Sequence, residues 1–215
     1  MLGAKFITLE GGEGVGKSTQ AEQLRAFLAD RSIPVLVTRE PGGSPFGEAV
    51  RALLLDPNRG APTPLAQALV FYAARADHLA HTIRPALASG TWVICDRFSD
   101  STRAYQGAAG GVDRELLARL ERMVVGPTRP DLTLFLDLEP RIGLARAEQR
   151  QPRPAADASR DPFEAKALPF HLRLRQAFLE IASAEPQRCV VIDADAAPGV
   201  VARRVTAAVR DRLLP

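Results

Sequence analysis

Residues 6–20 read FITLEGGEGVGKSTQ. An apolar run meets glycines at 11, 12, 14 and 16, then Lys17, Ser18 and Thr19 open a helical pattern. A buried strand that empties through a glycine loop into a helix is the first unit of a parallel α/β sheet. The glycines let the backbone turn tightly, so that successive N–H groups point inward at one place. The helix N-terminus adds partial positive charge there. Gly11-x-x-x-x-Gly16-Lys17-Ser18 matches the P-loop pattern, with strand before and helix after. Gly11, Gly12, Glu13, Gly14, Val15, Gly16, Lys17, Ser18 and Thr19 are therefore expected to cradle a nucleoside triphosphate. Lys17 would reach its outer phosphates and the Ser18 hydroxyl would ligate Mg²⁺. The motif does not say where the phosphate goes.

The rest of the 215-residue chain keeps the alternation that the first unit starts. Apolar runs at 5–10, 34–38, 92–95, 132–138 and 190–193 read as strands. Stretches at 17–30, 46–55, 65–89, 113–125, 140–150, 163–184 and 199–213 read as helices, with a kink or break expected at Pro169. Near-continuous apolar strands are those of a parallel sheet covered on both faces. The fold expected is α/β, five parallel strands flanked by helices, in one domain over 1–215. The stretch QPRPAADASRDP has three prolines and several charges, and marks a lid at about 146–161 rather than an element.

Composition removes several classes. A formal net charge of +3 is too small to demand nucleic acid, and no basic stripe with interleaved aromatics occurs. Two cysteines, Cys95 and Cys189, form neither a disulfide framework nor a metal pattern. No apolar run approaches the ~20 residues of a membrane helix, and nothing resembles a signal peptide, so a cytoplasmic protein is expected. The basic residues are nearly all arginine, with lysine only at 5, 17 and 166. A coding bias explains that, and Lys17 stands out against it.

Asp96 follows the run TWVIC and should sit at a strand's carboxyl end, where a magnesium carboxylate belongs; Asp137, after LTLFL, has a similar setting. In LVFYAARADHL, Phe71 and Arg75 are four apart and share a helix face. A ring that stacks beside a guanidinium that donates can make a base pocket. In DRFSDSTRAYQG, Ser101 and Tyr105 are four apart, as are Thr102 and Gln106, so a helical turn would line polar groups up beside Arg97. His78 and His81 suggest neither a metal site nor catalysis, and His171 is expected at the surface. Trp92 reads as packing.

The segments TLEGGEGVGKST, TREPGGSPFGEAVR, FYAARADH and DRFSDSTRAYQG occur in the order and spacing of bacterial thymidylate kinases, and the resemblance covers nearly the whole chain. It implies a P-loop nucleoside monophosphate kinase fold that transfers the γ-phosphate of ATP to dTMP with Mg²⁺, and a homodimer. It places ATP on Gly11 to Ser18, thymine between Phe71 and Arg75, and Thr102 and Gln106 on the remaining base contacts. Tyr105 would lie under the sugar. Arg39, Arg51 and Arg97 would surround the acceptor phosphate with Ser101 nearby, and Glu13 would face the sugar 3′-hydroxyl or the phosphate region. Ser18 and Asp96 would hold the metal. Lys17, Arg97, Glu13 and a lid arginine form the implied catalytic set.

Two departures bear on that set. Gly14 stands where one subgroup of the family carries an arginine, which throws the catalytic arginine onto the lid. There Arg146, Arg150, Arg153 and Arg160 are available, and Arg153 and Arg160 lead. Where members show Asp-Arg-(Phe/Ile)-Glu, this chain has Asp161-Pro162-Phe163-Glu164. Two other readings remain open: a kinase for a different small acceptor on the same scaffold, and a nucleotide-switched partner-binding module.

Overall fold

The computed structural model describes residues 3–56, 60, 62–149, 163 and 165–214. Its centre is β1 (Phe6–Glu10), buried at all five positions. Parallel to it run β3 (Trp92–Asp96) on one side and β4 (Leu132–Asp137) on the other. The edges are β2 (Val35–Arg39) and β5 (Cys189–Asp193), giving the order β2-β3-β1-β4-β5. The five strands are those expected. Because neighbours of β1 leave in opposite directions, the crevice at its carboxyl end is a topological switch point, where α/β sheets bind ligands.

The two-residue period of the strands builds two cores. Ile7 and Leu9 of β1 face Leu24 and Leu28 of α1 (Lys17–Ala29) and Val201, Val205 and Val209 of α9 (Pro198–Leu213). Phe6 faces the other way, onto Phe98 at 5.0 Å, Leu79 and Ile83. Thr8 joins it there and stays satisfied through Thr133, Oγ1 to Oγ1 at 2.8 Å.

Local chemistry sets the helix starts. Ser44 caps α2 (Pro45–Leu55), Thr63 caps α3 (Pro64–His78) and Asp113 caps α6 (Arg114–Val124), each side chain accepting a backbone N–H three residues on. The single long helix expected at 65–89 is three pieces: α3, a π-helical turn at Leu79–Ile83, and α4 (Arg84–Ala88). Pro85 brings no N–H to that stretch, and a widened turn accommodates the loss. A second π-helical turn, Arg103–Ala108, extends the short α5 (Ser99–Thr102). α7 (Pro140–Glu148) follows β4. The helix expected at 163–184 with an internal break instead begins as α8 (Leu168–Ala184). Pro169 falls in its first turn, where a missing N–H costs nothing.

Buried charge fastens the α5 segment down. Asp100, 1% exposed, takes Arg188 at 2.7 and 2.9 Å and Arg103 at 2.8 Å. Glu185 accepts from the same two arginines at 2.8 and 2.7 Å. Among the described residues, no helix is long and apolar enough to cross a membrane.

Leu24 has no exposed surface and joins α1, the sheet and α9. Leu24→Ala is expected to lower unfolding free energy by about 2–5 kcal/mol, read from urea unfolding curves.

Candidate active site

The loop after β1 rests on α7. Gly14 has φ +66°, and a Cβ there would lie 1.8 Å from the carbonyl oxygen of Gly143. A Cβ on Gly143 would in turn lie 2.3 Å from the carbonyl oxygen of Glu13. Backbone meets backbone, so position 14 has no room for any side chain. This is why an arginine cannot stand there in this chain.

Beyond that contact, Gly16 at φ +92° starts α1 with no side-chain cap and no acidic residue in the first turn. The N-terminal N–H groups are left for a ligand. Lys17 is 8% exposed and donates to the carbonyls of Gly12 at 2.7 Å and Gly11 at 3.2 Å. Burial pulls its ammonium down to about 8, helped by the charge of Arg97 and resisted by Glu13, Asp96 and Glu10. Ser18 donates to Asp96 Oδ2 at 2.7 Å. Asp137 is instead held in a two-pronged pair by Arg175, at 2.7 and 2.8 Å. Of the two candidate aspartates, only Asp96 meets the serine. Val15 packs into the core, so the loop offers its backbone alone there.

Arg97 follows β3 with φ +71°. That turn carries its guanidinium back across the sheet end to Gly11 O at 2.9 Å, Glu13 Oε1 at 2.9 Å and Ser101 Oγ at 3.3 Å. It lies 5.0 Å from the centre of the Tyr105 ring. The Tyr105 hydroxyl donates a short bond to the same Glu13 oxygen. Burial alone would raise Glu13, but Arg97, Lys17 and the Tyr105 bond bring its carboxyl down to about 2. Beneath them sits Glu10, fully buried, which accepts from Phe98 N at 2.8 Å, Ser101 N at 3.2 Å and Ser101 Oγ at 2.6 Å. Burial and then the charge of Asp100 push Glu10 up to about 7, against the pull of Ser101, Arg97 and the Phe98 N–H.

Across the cleft, Arg75 of α3 is 2% exposed. It donates Nε to Glu40 Oε2 at 2.8 Å and Nη2 to Thr102 Oγ1 at 3.2 Å. Its Nη1 has no hydrogen-bond partner among the described residues. Phe71, one turn earlier, is half-buried against Val50 and Leu54. Gln106 donates to Gln67 at 3.1 Å. Arg51 donates to Pro41 O at 3.1 Å, and the exposed Arg39 leans on Glu48 at 3.1 Å.

The structure thus brings together Glu13, Lys17, Ser18, Asp96, Arg97, Ser101 and Tyr105, and sets Arg75 and Thr102 as a second group. Arg146 is tied to Ala194 O at 3.2 Å. Arg150, Arg153 and Arg160 lie outside the described residues, as do Asp161, Pro162 and Glu164. His171, expected at the surface, is 3% exposed, because it shares the inward face of α8 with Leu174 and Phe178. It lines a crevice with Glu13 and Leu144. Sequence reasoning missed Glu10 and Glu40. Both sit inside quoted motifs, and their partners lie 35 to 91 residues away.

A glycine loop at the switch point, a lysine at its close and a polar cleft facing it define a P-loop phosphotransferase of the nucleoside monophosphate kinase kind. Comparison with known proteins narrows this. Residues 9–205 match the family model for thymidylate kinase. The chain is 52% identical over 208 residues to a thymidylate kinase of Caulobacter vibrioides, covering 97% of each. It is 50% identical over 211 residues to one of Bradyrhizobium diazoefficiens, covering 98% of this chain and 91% of the relative. The crystal structure of thymidylate kinase from Ehrlichia chaffeensis superposes with a TM-score of 0.75 at 33% identity, covering 96% of this chain and 99% of that one. The chain belongs to the thymidylate kinase family.

The Glu10 shift has a consequence for stability. The folded protein keeps the Glu10 proton up to about 7, whereas the ordinary value is 4.5. Its contribution is complete below 4.5 and is lost as pH rises through about 7. Glu10→Gln copies the protonated form, so it should gain stability relative to the parent as pH rises from 5 to 8. Urea unfolding of both proteins at the two pH values measures this.

Proposed function

We propose that the chain transfers the γ-phosphate of ATP to dTMP, giving dTDP and ADP, as a homodimeric, single-domain cytoplasmic kinase. The observation that carries the acceptor assignment is Arg75. Its guanidinium is buried, two of its three nitrogens are committed, and Nη1 is left over. A buried donor without a partner is costly, and a base carbonyl satisfies it. Thymine stacked on Phe71 presents O4 to that nitrogen; cytosine would present an amino group, donor against donor. Thr102 and Gln106 complete the base contacts.

On the donor side, the N–H groups of Gly11 to Thr19 take the phosphates of ATP. Lys17 exchanges its loop carbonyls for phosphate oxygens. The polyanion raises the lysine again, so ATP binds the protonated form. The hard oxygens of Ser18 and Asp96, 2.7 Å apart, suit Mg²⁺. When bound, the ion offsets negative charge on the phosphate oxygens.

The acceptor phosphate oxygen attacks the γ-phosphorus directly, so no general base is required. Catalysis is positioning and positive charge. Arg97 faces both phosphates from the end of β3, with Arg39, Arg51 and Ser101 on the acceptor side. Glu13 stays ionised and receives the sugar 3′-hydroxyl, while Tyr105, fixed by its bond to Glu13, lies under the sugar. A lid arginine, Arg153 or Arg160, supplies further positive charge.

ADP release with Mg-ATP and dTMP, dUMP, dCMP, dGMP and AMP in turn tests this. The expected outcome is the highest kcat/KM with dTMP. Preference for another acceptor would overturn the pocket assignment. Folded, ATP-binding protein with no acceptor-dependent turnover would overturn the kinase reading in favour of a nucleotide switch.

The dimer rests on a stripe of exposed apolar residues: Phe46 and Leu53 on α2, Leu65 and Leu69 on α3. The two helices pack on each other through Val50, Leu54, Val70 and Ala74. Exposed apolar residues on two packed helices fit a second copy of the chain. Leu69→Glu should convert a dimer to a monomer in sedimentation experiments; an unchanged dimer would place the interface elsewhere.

A further inference from the structure

Arg75 is held by more than Glu40. The carboxylate of Glu40, 6% exposed, takes Arg75 on Oε2 and His78 on Oε1, where Nδ1 donates at 3.0 Å. An ionised carboxylate only accepts, so His78 carries its proton on Nδ1. Its Nε2 bonds the Thr38 hydroxyl, at 2.8 Å. His78 has no exposed surface. The turn after β2 closes over the end of this chain: a Cβ on Gly43 would lie 2.3 Å from His78 Nε2 and 2.4 Å from Thr38 Oγ1. Thr82 fastens the turn, donating to Gly43 O at 2.6 Å.

The guanidinium is confined on its faces too, 4.7 Å from the centre of the Tyr72 ring and 5.1 Å from that of Phe98. With Nε fixed by Glu40 and Nη2 by Thr102, Nη1 has one direction left. Each link of Thr38–His78–Glu40–Arg75 removes a rotation that would let Arg75 present a different edge.

We infer that Glu40 and His78 are positioning residues that set the base selectivity of the acceptor cleft, by fixing Arg75 so that only Nη1 faces the base. The inference rests on the reading of Arg75 as the group that meets the acceptor base. Neither residue touches the acceptor. Without His78, Glu40 Oε1 loses its donor, the carboxylate turns, and Arg75 follows it. A mobile guanidinium satisfies itself elsewhere, and the penalty against an amino-bearing base falls.

The test compares His78→Phe, Glu40→Gln and Thr38→Val with the parent, and uses Arg75→Ala as the check on the underlying reading. For each, kcat/KM is measured with dTMP and dCMP, along with KM for ATP and the melting temperature. Hydrogen bonds to charged groups are worth about 10–100-fold. His78→Phe and Glu40→Gln should therefore cut the dTMP-to-dCMP ratio by about tenfold or more, mainly through KM for dTMP. KM for ATP should stay within about twofold, far less than that loss. Thr38→Val should move the ratio the same way by less. If His78→Phe does not fold, Thr38→Val and Glu40→Gln carry the test. An unchanged ratio in these variants, with or without an even loss on both acceptors, overturns the inference while a collapsed ratio in Arg75→Ala leaves the reading standing. An unchanged ratio in Arg75→Ala overturns both.

Discussion

The guanidinium of Arg97 is the joint between the two halves of the site. The residue sits in the left-handed region, which costs an ordinary side chain roughly 1–2 kcal/mol. Its surroundings hold it there: its N–H donates to Leu9 O at 2.9 Å, and Cys95 Sγ donates to its carbonyl at 3.0 Å. The result is a side chain that leaves β3 and returns over β1, tying Gly11 and Glu13 of the glycine loop to Ser101 of the acceptor side. A straight continuation of β3 would point it away. The strain is local, and it brings the arginine between the glycine loop and Ser101.

The charges around it are balanced in alternation. Lys17 and Arg97 are two buried cations; Glu13, Asp96 and Glu10 are the anions among them. Burial raises Glu10 and lowers Lys17, so each drifts towards neutrality, while Glu13, between two cations, stays fully ionised. In the free protein Lys17 and Arg97 are held by loop carbonyls and by Glu13.

The parts of this arrangement that the sequence makes legible are local. Glycine spacing, strand-then-helix alternation and the Phe71–Arg75 face follow from short-range geometry, and the five strands lie within a residue or so of where the apolar runs put them. What it hides depends on distant partners. Asp96 and Asp137 look alike at two strand ends, and their partners separate them: Ser18 on Asp96, and Arg175, far along the chain, on Asp137. Glu10 and Glu40 look like motif consonants until Phe98, Ser101 and His78 fold onto them. His171 looks exposed until α8 turns it inward on the face of Leu174 and Phe178. The need for Gly14 becomes clear only with Gly143 against it, 129 positions on.

The measurement closest to the centre of this account is the turnover of Arg97→Ala set beside its ATP affinity. Removing one preorganised donor from a charge-building transition state costs about 10²–10³ in kcat. A loss of that order is expected, with a dissociation constant for ATP within a few-fold of the parent. A variant that keeps its kcat, or one whose loss is wholly a loss of ATP binding, would contradict the assignment of Arg97 as the bridge between donor and acceptor.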